Sequence, residues 1–423
     1  MGADMAFVED GWAYHTSNDD TSRLKLRPGS VQRCGENVLS LTKELSKRVL
    51  MEERSNDDRV TFFDVCGYFM FVVPVSWVQV VCLISFVLLI FWCHETRVSI
   101  LHSASHFIRR SFYSLAAPVV VSLFLVLSPL RWYANPWLVL PLFVAPSLAG
   151  ALFSVEDELK DWTGFIMFFT FLSLLTCYFE LGFSYLPVLW MISCLLPRLI
   201  FLRSSSTSTT TCLVVLLGSA LPVLMTSQLL FFAFDFFLPL MGRAGTEPYP
   251  DTVIAVLSGL TVLVLTSTTA SLIRQQIRRR IVRVLVFITM LGYLYAALFA
   301  KSYSKTRPKR LYAQHITRHF REDNNYDSGL WINGIDWTTL YPLRFLRRRS
   351  TSSKDEETTQ IMTCTESSLL YCDLPWYLPI KDMVRNGWYM RADKPLGTRK
   401  FEFSVTKVEE SRVYFQARRA SHM

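Results

Sequence analysis

The chain has 423 residues, 51% of them hydrophobic and 19% charged, with a formal net charge of +9. A soluble protein of this length would form two or three domains, but the apolar residues are gathered into nearly charge-free blocks between about 65 and 300, each long enough to cross a bilayer as a helix. The blocks lack period-two alternation, so helices rather than a barrel satisfy their backbone groups; the positive charge lies beside them and in one tail loop with no nucleic-acid motif, which sets nucleic acid aside as a partner.

Residues 1 to about 60 are polar and mixed in charge. EDGWAYHTSNDD, 9 to 20, places His15 between Tyr14 and Thr16 and ahead of Asp19 and Asp20. Such a histidine is either an exposed loop residue or a metal ligand. A zinc hydrolase site needs about three protein ligands and a carboxylate to activate water, so one histidine with nearby acids is no ligand set. No HExxH, G-x-S-x-G or Gly-rich phosphate loop is present. From Ser30, Val31, Val38, Leu41, Leu45 and Val49 recur at helical spacing and predict an amphipathic helix. The first residues carry acids and no apolar core, so no signal peptide is expected.

Eight spans follow, near 66–92, 112–130, 135–153, 162–180, 183–202, 212–240, 252–273 and 281–300. Pro74, Pro118, Pro146, Pro187 and Pro222 fall inside them and predict kinks. Loops after the odd-numbered spans carry Arg97, Arg109, Arg110, Lys160, Arg203, Arg274 and Arg278 to Arg280, whereas the others hold only Arg131 and Arg243. The positive-inside rule makes the first set cytoplasmic and, with eight spans, both termini lumenal or extracellular; the basic KTRPKR after the last span argues the other way. The run SSSTSTTT, 204 to 211, reads as a flexible connector.

Charged residues within spans are candidate functional sites. Asp235 in FFAFDFFLPLM is the most interior of them, Arg198 lies in LLPRLIFL, and Glu180 closes the fourth span. Each suits either a functional role or a structural ion pair. His102 with His106, and His315 with His319, are four apart and share a face, as weak metal sites or solvated histidines.

After about 300, RLYAQHITRHF, GLWINGIDW, KFEFSVTKV and RVYFQAR alternate β-branched and aromatic residues and predict strands, with turns at Gly329, Asn333-Gly334 and Asn386-Gly387. The stretch 344–360 reads as disordered, and the ending RRASHM leaves the last strand without a closing element. Cys66, Cys82, Cys93, Cys177, Cys194 and Cys212 lie in or beside apolar spans, where a thiol packs as a small hydrophobe. Cys364 and Cys372 lie together in a polar region and are either free thiols or, in an oxidising lumen, a disulfide.

The ordered set YHT (14–16), SVQRCGEN (30–37), TFFDVCG (61–67), GRAGTE (242–247), RPKR (307–310), DSGLWINGIDW (327–337), LPWYLP (374–379) and NGWY (386–389) resembles the endoplasmic reticulum metallopeptidase 1 family nearly end to end. The resemblance implies a lumenal zinc exopeptidase-type domain joined to a multispanning region and a lumenal C-terminal domain. In that comparison residues 1–60 are similar to the last α/β piece of the peptidase domain, 61–300 to an eight-span domain and 301–423 to a β-rich lumenal domain that looks cut short. His15 takes a zinc-ligand position, while the other ligands and the general base of the family fall before Met1. Zinc and a peptide substrate are therefore expected of the longer relative and not of this chain alone. The resemblance also supports a Cys364–Cys372 disulfide and draws attention to Asp235, where the family tends to carry an acid.

The expected protein is thus a polytopic α-helical membrane protein with a peptidase-domain remnant before the spans and a β-rich soluble domain after them. It would sit in the endoplasmic reticulum membrane with both soluble regions lumenal and the bilayer as its partner. It is expected to be a fragment of a longer gene product. A non-enzymatic membrane scaffold, or a transporter using Asp235, are the alternative functions.

Overall fold

A computed structural model describes residues 11–16, 18–20, 28–50, 59–126, 128–200, 208–245, 249–319, 326–339, 359–361, 388–391, 393, 401–409 and 412–419. The amphipathic segment forms helix α1, Ser30–Leu50. Every apolar block then contains a helix: α2 Val75–Thr96, α3 Ile100–Phe124, α4 Ala145–Phe153, α5 Glu158–Tyr178, α6 Tyr185–Ile200, α7 Ser208–Leu240, α8 Pro250–Thr266 and α9 Gln275–Leu298. Among the described residues, six helical stretches are long and apolar enough to cross a membrane, counting α4 together with the 3-10 and π turns that precede it from Pro136. The helices α6 and α8 are apolar but shorter.

The expected first span is corrected at its start. Residues 66–74 are not helical, because Val60–Val65 (β1) and Phe69–Pro74 (β2) pair as an antiparallel hairpin that runs directly into α2. Both faces of β2 are apolar, so hydropathy could not separate it from the helix that follows. Pro74 ends β2 and caps α2 rather than kinking it, and Pro187 falls in the first turn of α6, where a missing N–H costs nothing. Pro118 and Pro222 do lie inside helices. Arg109 and Arg110 belong to α3 rather than to a loop, and 208–211 of the serine/threonine run is helical.

The bundle is held by small residues at close crossings and by an aromatic core. A Cβ built on Gly150 of α4 would lie 2.2 Å from the Tyr113 carbonyl of α3, so only glycine permits that approach. Beside it Ser114 Oγ and Ser147 Oγ are 3.0 Å apart, and Ser147 Oγ donates to the Ser114 carbonyl at 2.8 Å. Without a hydrophobic driving force between helices in lipid, this combination of close packing and side-chain hydrogen bonds supplies the attraction. Trp92, Trp162, Phe165 and Trp190 form the centre of a cluster joining α2, α5 and α6. Their polar handles are used: Trp92 Nε1 donates to Thr163 Oγ1 at 3.2 Å and Trp190 Nε1 to Thr226 Oγ1 at 2.8 Å. Asp157 starts α5 by accepting from the Leu159 and Lys160 amides at 3.0 and 3.1 Å.

The chain divides into two units, Met1–Lys309 and Arg310–Met423. In the second, Leu311–His319 (β3), Tyr326–Gly334 (β4), Thr359–Ile361 (β5) and Trp388–Arg391 (β6) form an antiparallel sheet in the order β3-β4-β6-β5. Phe401–Glu409 (β7) and Arg412–Arg419 (β8) form a separate hairpin. Gly329 lies within β4 opposite Ile316 and Arg391 instead of in a turn, and Thr359 and Gln360, at the end of the stretch expected to be disordered, are in a strand. Asn333 and Gly334 likewise lie in β4, opposite Tyr312 and Leu311, and the turn follows at 335–339, with Asp336 Oδ1 accepting from the Thr338 amide at 2.9 Å.

Candidate functional site

The most elaborate polar construction in the first unit lies at the end of the bundle opposite the arginines of α9. Its base is Asp251, in the first turn of α8 and fully buried. Asp251 Oδ1 accepts from Trp132 Nε1 at 2.8 Å, and Oδ2 from the Leu130 amide at 3.2 Å. A carboxylate in the first turn of a helix also faces the positive end of the helix dipole. These bonds fix the loop after α3, in which Leu130 adopts a left-handed φ of 60°. Arg131 donates to the Ala300 carbonyl, and Ser302 Oγ to the Pro129 carbonyl at 3.0 Å, so the segment after α9 is tied to the same loop.

The N-terminal loop rests on this base. Trp12 packs edge-on against buried Tyr133 with centroids 4.8 Å apart, and Arg307 lies over the other part of the indole at 4.4 Å while its Nη1 donates to the Ala134 carbonyl at 2.8 Å. Arg243 stacks over Tyr14 at 4.4 Å, and Tyr14 stacks on His15 at 3.8 Å. A Cβ on Gly242 would meet the Tyr133 hydroxyl at 2.1 Å and its ring at 2.3 Å, so glycine is needed for the 241–243 turn to approach. Within the loop, Thr16 Oγ1 donates to the Ala13 carbonyl at 2.6 Å, the His15 amide donates to Asp19 Oδ2 at 3.2 Å, and Asn18 Nδ2 reaches the Lys305 carbonyl at 3.3 Å. Three motifs far apart in sequence, YHT, GRAGTE and RPKR, therefore meet at one end of the bundle.

His15 itself is exposed, with a left-handed φ of 58°. Its nearest acid, Asp19, is engaged through the backbone amide, and no group of three or more His, Cys, Asp or Glu side chains that could hold a metal occurs among the described residues. The histidine pairs also stay apart from any such group: His106 Nδ1 faces Asp161 Oδ1 at 3.4 Å, His102 Nδ1 lies 2.9 Å from Ser99 Oγ, and His315 Nε2 lies 3.2 Å from Ser328 Oγ.

Asp235, read from the sequence as an acid within a span, is not part of the buried polar construction. It is exposed on α7, and the buried carboxylate of this end is Asp251. Arg198 and Glu180 are both in ion pairs, with Glu158 and Arg59 respectively, and Arg198 also stacks over Trp162 at 4.3 Å. Cys364 and Cys372 lie outside the described residues. The TFFDVCG motif forms the hairpin turn: Asp64 Oδ2 accepts from Gln228 Nε2 at 2.6 Å and from the Gly67 amide at 2.7 Å, while the Cys66 amide donates to Gln228 Oε1 at 2.9 Å. The Gln228 hydrogen bond, followed by that from Gly67, holds the Asp64 carboxyl below its ordinary range.

Together these features define a polytopic helical membrane protein whose bundle carries a docking platform for its own N-terminal loop. Residues 155–299 match the family described as "Endoplasmic reticulum metallopeptidase 1, TM domain", and residues 306–423 match "Endoplasmic reticulum metallopeptidase 1, C-terminal domain". Endoplasmic reticulum metallopeptidase 1 of Mus musculus is 26% identical over 471 aligned residues, and that of Homo sapiens 24% over 469; each alignment covers 100% of this chain and 51% of the relative. Putative endoplasmic reticulum metallopeptidase 1-A of Caenorhabditis elegans is 39% identical over 71 residues, 16% of this chain. No solved structure matches. The chain belongs to the endoplasmic reticulum metallopeptidase 1 family, as its membrane and C-terminal region, and spans about half the length of the curated relatives it matches.

Proposed function

We propose that this chain is the membrane and C-terminal region of an endoplasmic reticulum zinc metallopeptidase, and that its platform seats the edge of the peptidase domain against the membrane. The observation that carries this reading is the docking of the loop around His15 on the bundle, Trp12 on Tyr133 and Arg307 and Tyr14 on Arg243. His15 occupies the zinc-ligand position of the family, and Trp12, Tyr14 and Asn18 of the same loop are the residues held by Tyr133, Arg307, Arg243 and the Lys305 carbonyl. The platform would thus fix one corner of the metal site while the remaining ligands come from the longer protein.

In this reading all eight apolar helices cross the endoplasmic reticulum membrane, with α6 and α8 as short spans. The arginine-rich end faces the cytosol and the platform, N-terminal loop and C-terminal unit face the lumen, in keeping with the loop-charge asymmetry. Residues 1–60 would be the last piece of the peptidase domain. Peptide hydrolysis belongs to the longer protein, and this chain alone is expected neither to hydrolyse peptides nor to hold zinc tightly.

A chimera joining the N-terminal half of the mouse relative to this chain tests the proposal. Zinc content and peptide hydrolysis should both appear in the chimera and fall together in Arg243→Ala with Arg307→Ala. A chimera whose zinc content and hydrolysis survive both substitutions would sink the docking role. Tight stoichiometric zinc binding with aminopeptidase activity by the chain alone would sink the division of labour.

A further inference from the structure

The arginine-rich end of the bundle has a surplus of buried positive charge. Arg110, fully buried on α3, donates to the Ser267 and Thr266 carbonyls at 3.1 and 2.8 Å. Asp161, buried at the start of α5, is the carboxylate that acts on both Arg110 and Arg278, and it also faces His106. Arg109 is already paired with Glu156 at 2.6 Å. One buried carboxylate is therefore shared by two guanidiniums, before the exposed Arg279 and Arg283 are counted.

Arg278 is the member with only a share of Asp161. It is 8% exposed, and among the described residues its guanidinium makes no hydrogen bond. It lines a cavity of about 580 Å³ between the end of α4 and the start of α9, together with Gln275, Arg279, Arg283 and Glu156 on the polar side, the last neutralised by its pair with Arg109, and Phe153 and Val282 on the apolar side. A guanidinium that shares its one carboxylate and opens onto a cavity is a place where a further anion would be favoured. The cavity also lies at the positive end of the α9 dipole.

The surface below the cavity decides what kind of anion. Continuing along α9, Val286, Phe287, Met290, Leu291 and Leu294 are exposed, and Phe153 is exposed at the cavity rim. Guanidiniums above and an unbroken apolar helix face below match a molecule with an anionic head and hydrocarbon tails, whereas a soluble phosphate would use only the upper half. Arginine forks bind phosphate oxygens in pairs of parallel hydrogen bonds, and basic pockets between spans are suited to lipid headgroups. We infer that this cavity binds one anionic phospholipid, its phosphate held by Arg278, Arg279 and Arg283 and its acyl chains laid along α9.

The test uses the full chain purified in a neutral detergent, with binding read by native mass spectrometry and by thermal unfolding. Dioleoylphosphatidylserine should be retained as a single adduct and raise the melting temperature, and dioleoylphosphatidylcholine should do neither. Arg279→Gln with Arg283→Gln, both at exposed positions, should weaken phosphatidylserine binding by about tenfold or more, since each lost charged hydrogen bond is worth about 1.5 kcal/mol at least. Removing the same charge from α1, by Arg33→Gln with Lys43→Gln, should leave binding unchanged. Equal binding of phosphatidylcholine, or unchanged affinity in the α9 variant, overturns the site. Equal protection by glycerophosphoserine, which lacks acyl chains, overturns the lipid assignment.

Discussion

Asp251→Ala should destabilise the membrane unit more than any other single truncation of an acid in it. The carboxylate satisfies two donors that are themselves buried, the Leu130 amide and the Trp132 indole N–H. Truncation leaves both without an acceptor at about 1–3 kcal/mol each, or about 4 kcal/mol in all. For a unit of this size, about 2 °C of melting temperature is lost per kcal/mol, giving a drop of about 8 °C. Asp251→Asn keeps one acceptor oxygen and turns an NH2 toward the other donor, so about half that loss is expected. Thermal unfolding in detergent, followed by tryptophan fluorescence, measures both. A second readout separates the loop from the bundle: below the melting temperature, trypsin should cut at Arg131 faster in the alanine variant, because Arg131 is held through the loop that Asp251 fixes. An alanine variant melting within about 2 °C of the parent, or an asparagine variant less stable than the alanine one, would refute the assignment of these bonds.

Three further outcomes are expected. Gly150→Ala should cost about 1–3 kcal/mol by driving a Cβ into the Tyr113 carbonyl, whereas Gly182→Ala, with open space around it, should melt like the parent; equal melting of the two would remove the close crossing of α3 and α4. The folded-state pKa of Asp64 lies below its ordinary value, so its contribution is fully present above about pH 4 and is lost as pH falls through the lower folded value. The melting difference between the parent and Asp64→Asn should accordingly be constant from pH 7 to about pH 5 and shrink below about pH 4, and a difference that grows with acid would reverse the sign of the argument. In protein produced through the endoplasmic reticulum, alkylation without reductant should leave Cys364 and Cys372 unmodified and joined in one peptide pair; two alkylated thiols would exclude the proposed disulfide.

Hydropathy located every helix of the bundle because a bilayer demands long apolar runs and little else in this sequence supplies them. It failed at 66–74, where β2 is apolar on both faces and passes into α2 without a polar residue between them. The acids show the sharper contrast. Asp235 stands inside an apolar run, which is the pattern that flags a functional charge, yet it lies on the outer surface of α7. Asp251 follows Tyr249-Pro250 and looks like any acid in a first helical turn, yet it is fully buried. Its partners, Leu130 and Trp132, are more than a hundred residues away, so nothing local could reveal them. The meeting of Tyr14, Arg243 and Arg307 was hidden for the same reason, although each motif was visible on its own.

The two ends of the bundle solve the problem of buried charge in opposite ways, and this bears on where function resides. At the platform end, Asp251 has donors for both oxygens, and the arginines lie on aromatic rings or donate to carbonyls. Such an end is tied together by its own donors and rings, which suits a seat that must hold a loop in one geometry. At the other end, Asp161 is shared between Arg110 and Arg278, and a cavity opens beside the guanidinium that lacks a hydrogen bond. An incomplete charge balance next to open space is a place for something to bind. Substitutions at the first end should therefore act through stability and the geometry of the N-terminal loop, and substitution of the exposed Arg279 and Arg283 at the second should show its effect only when anionic lipid is present.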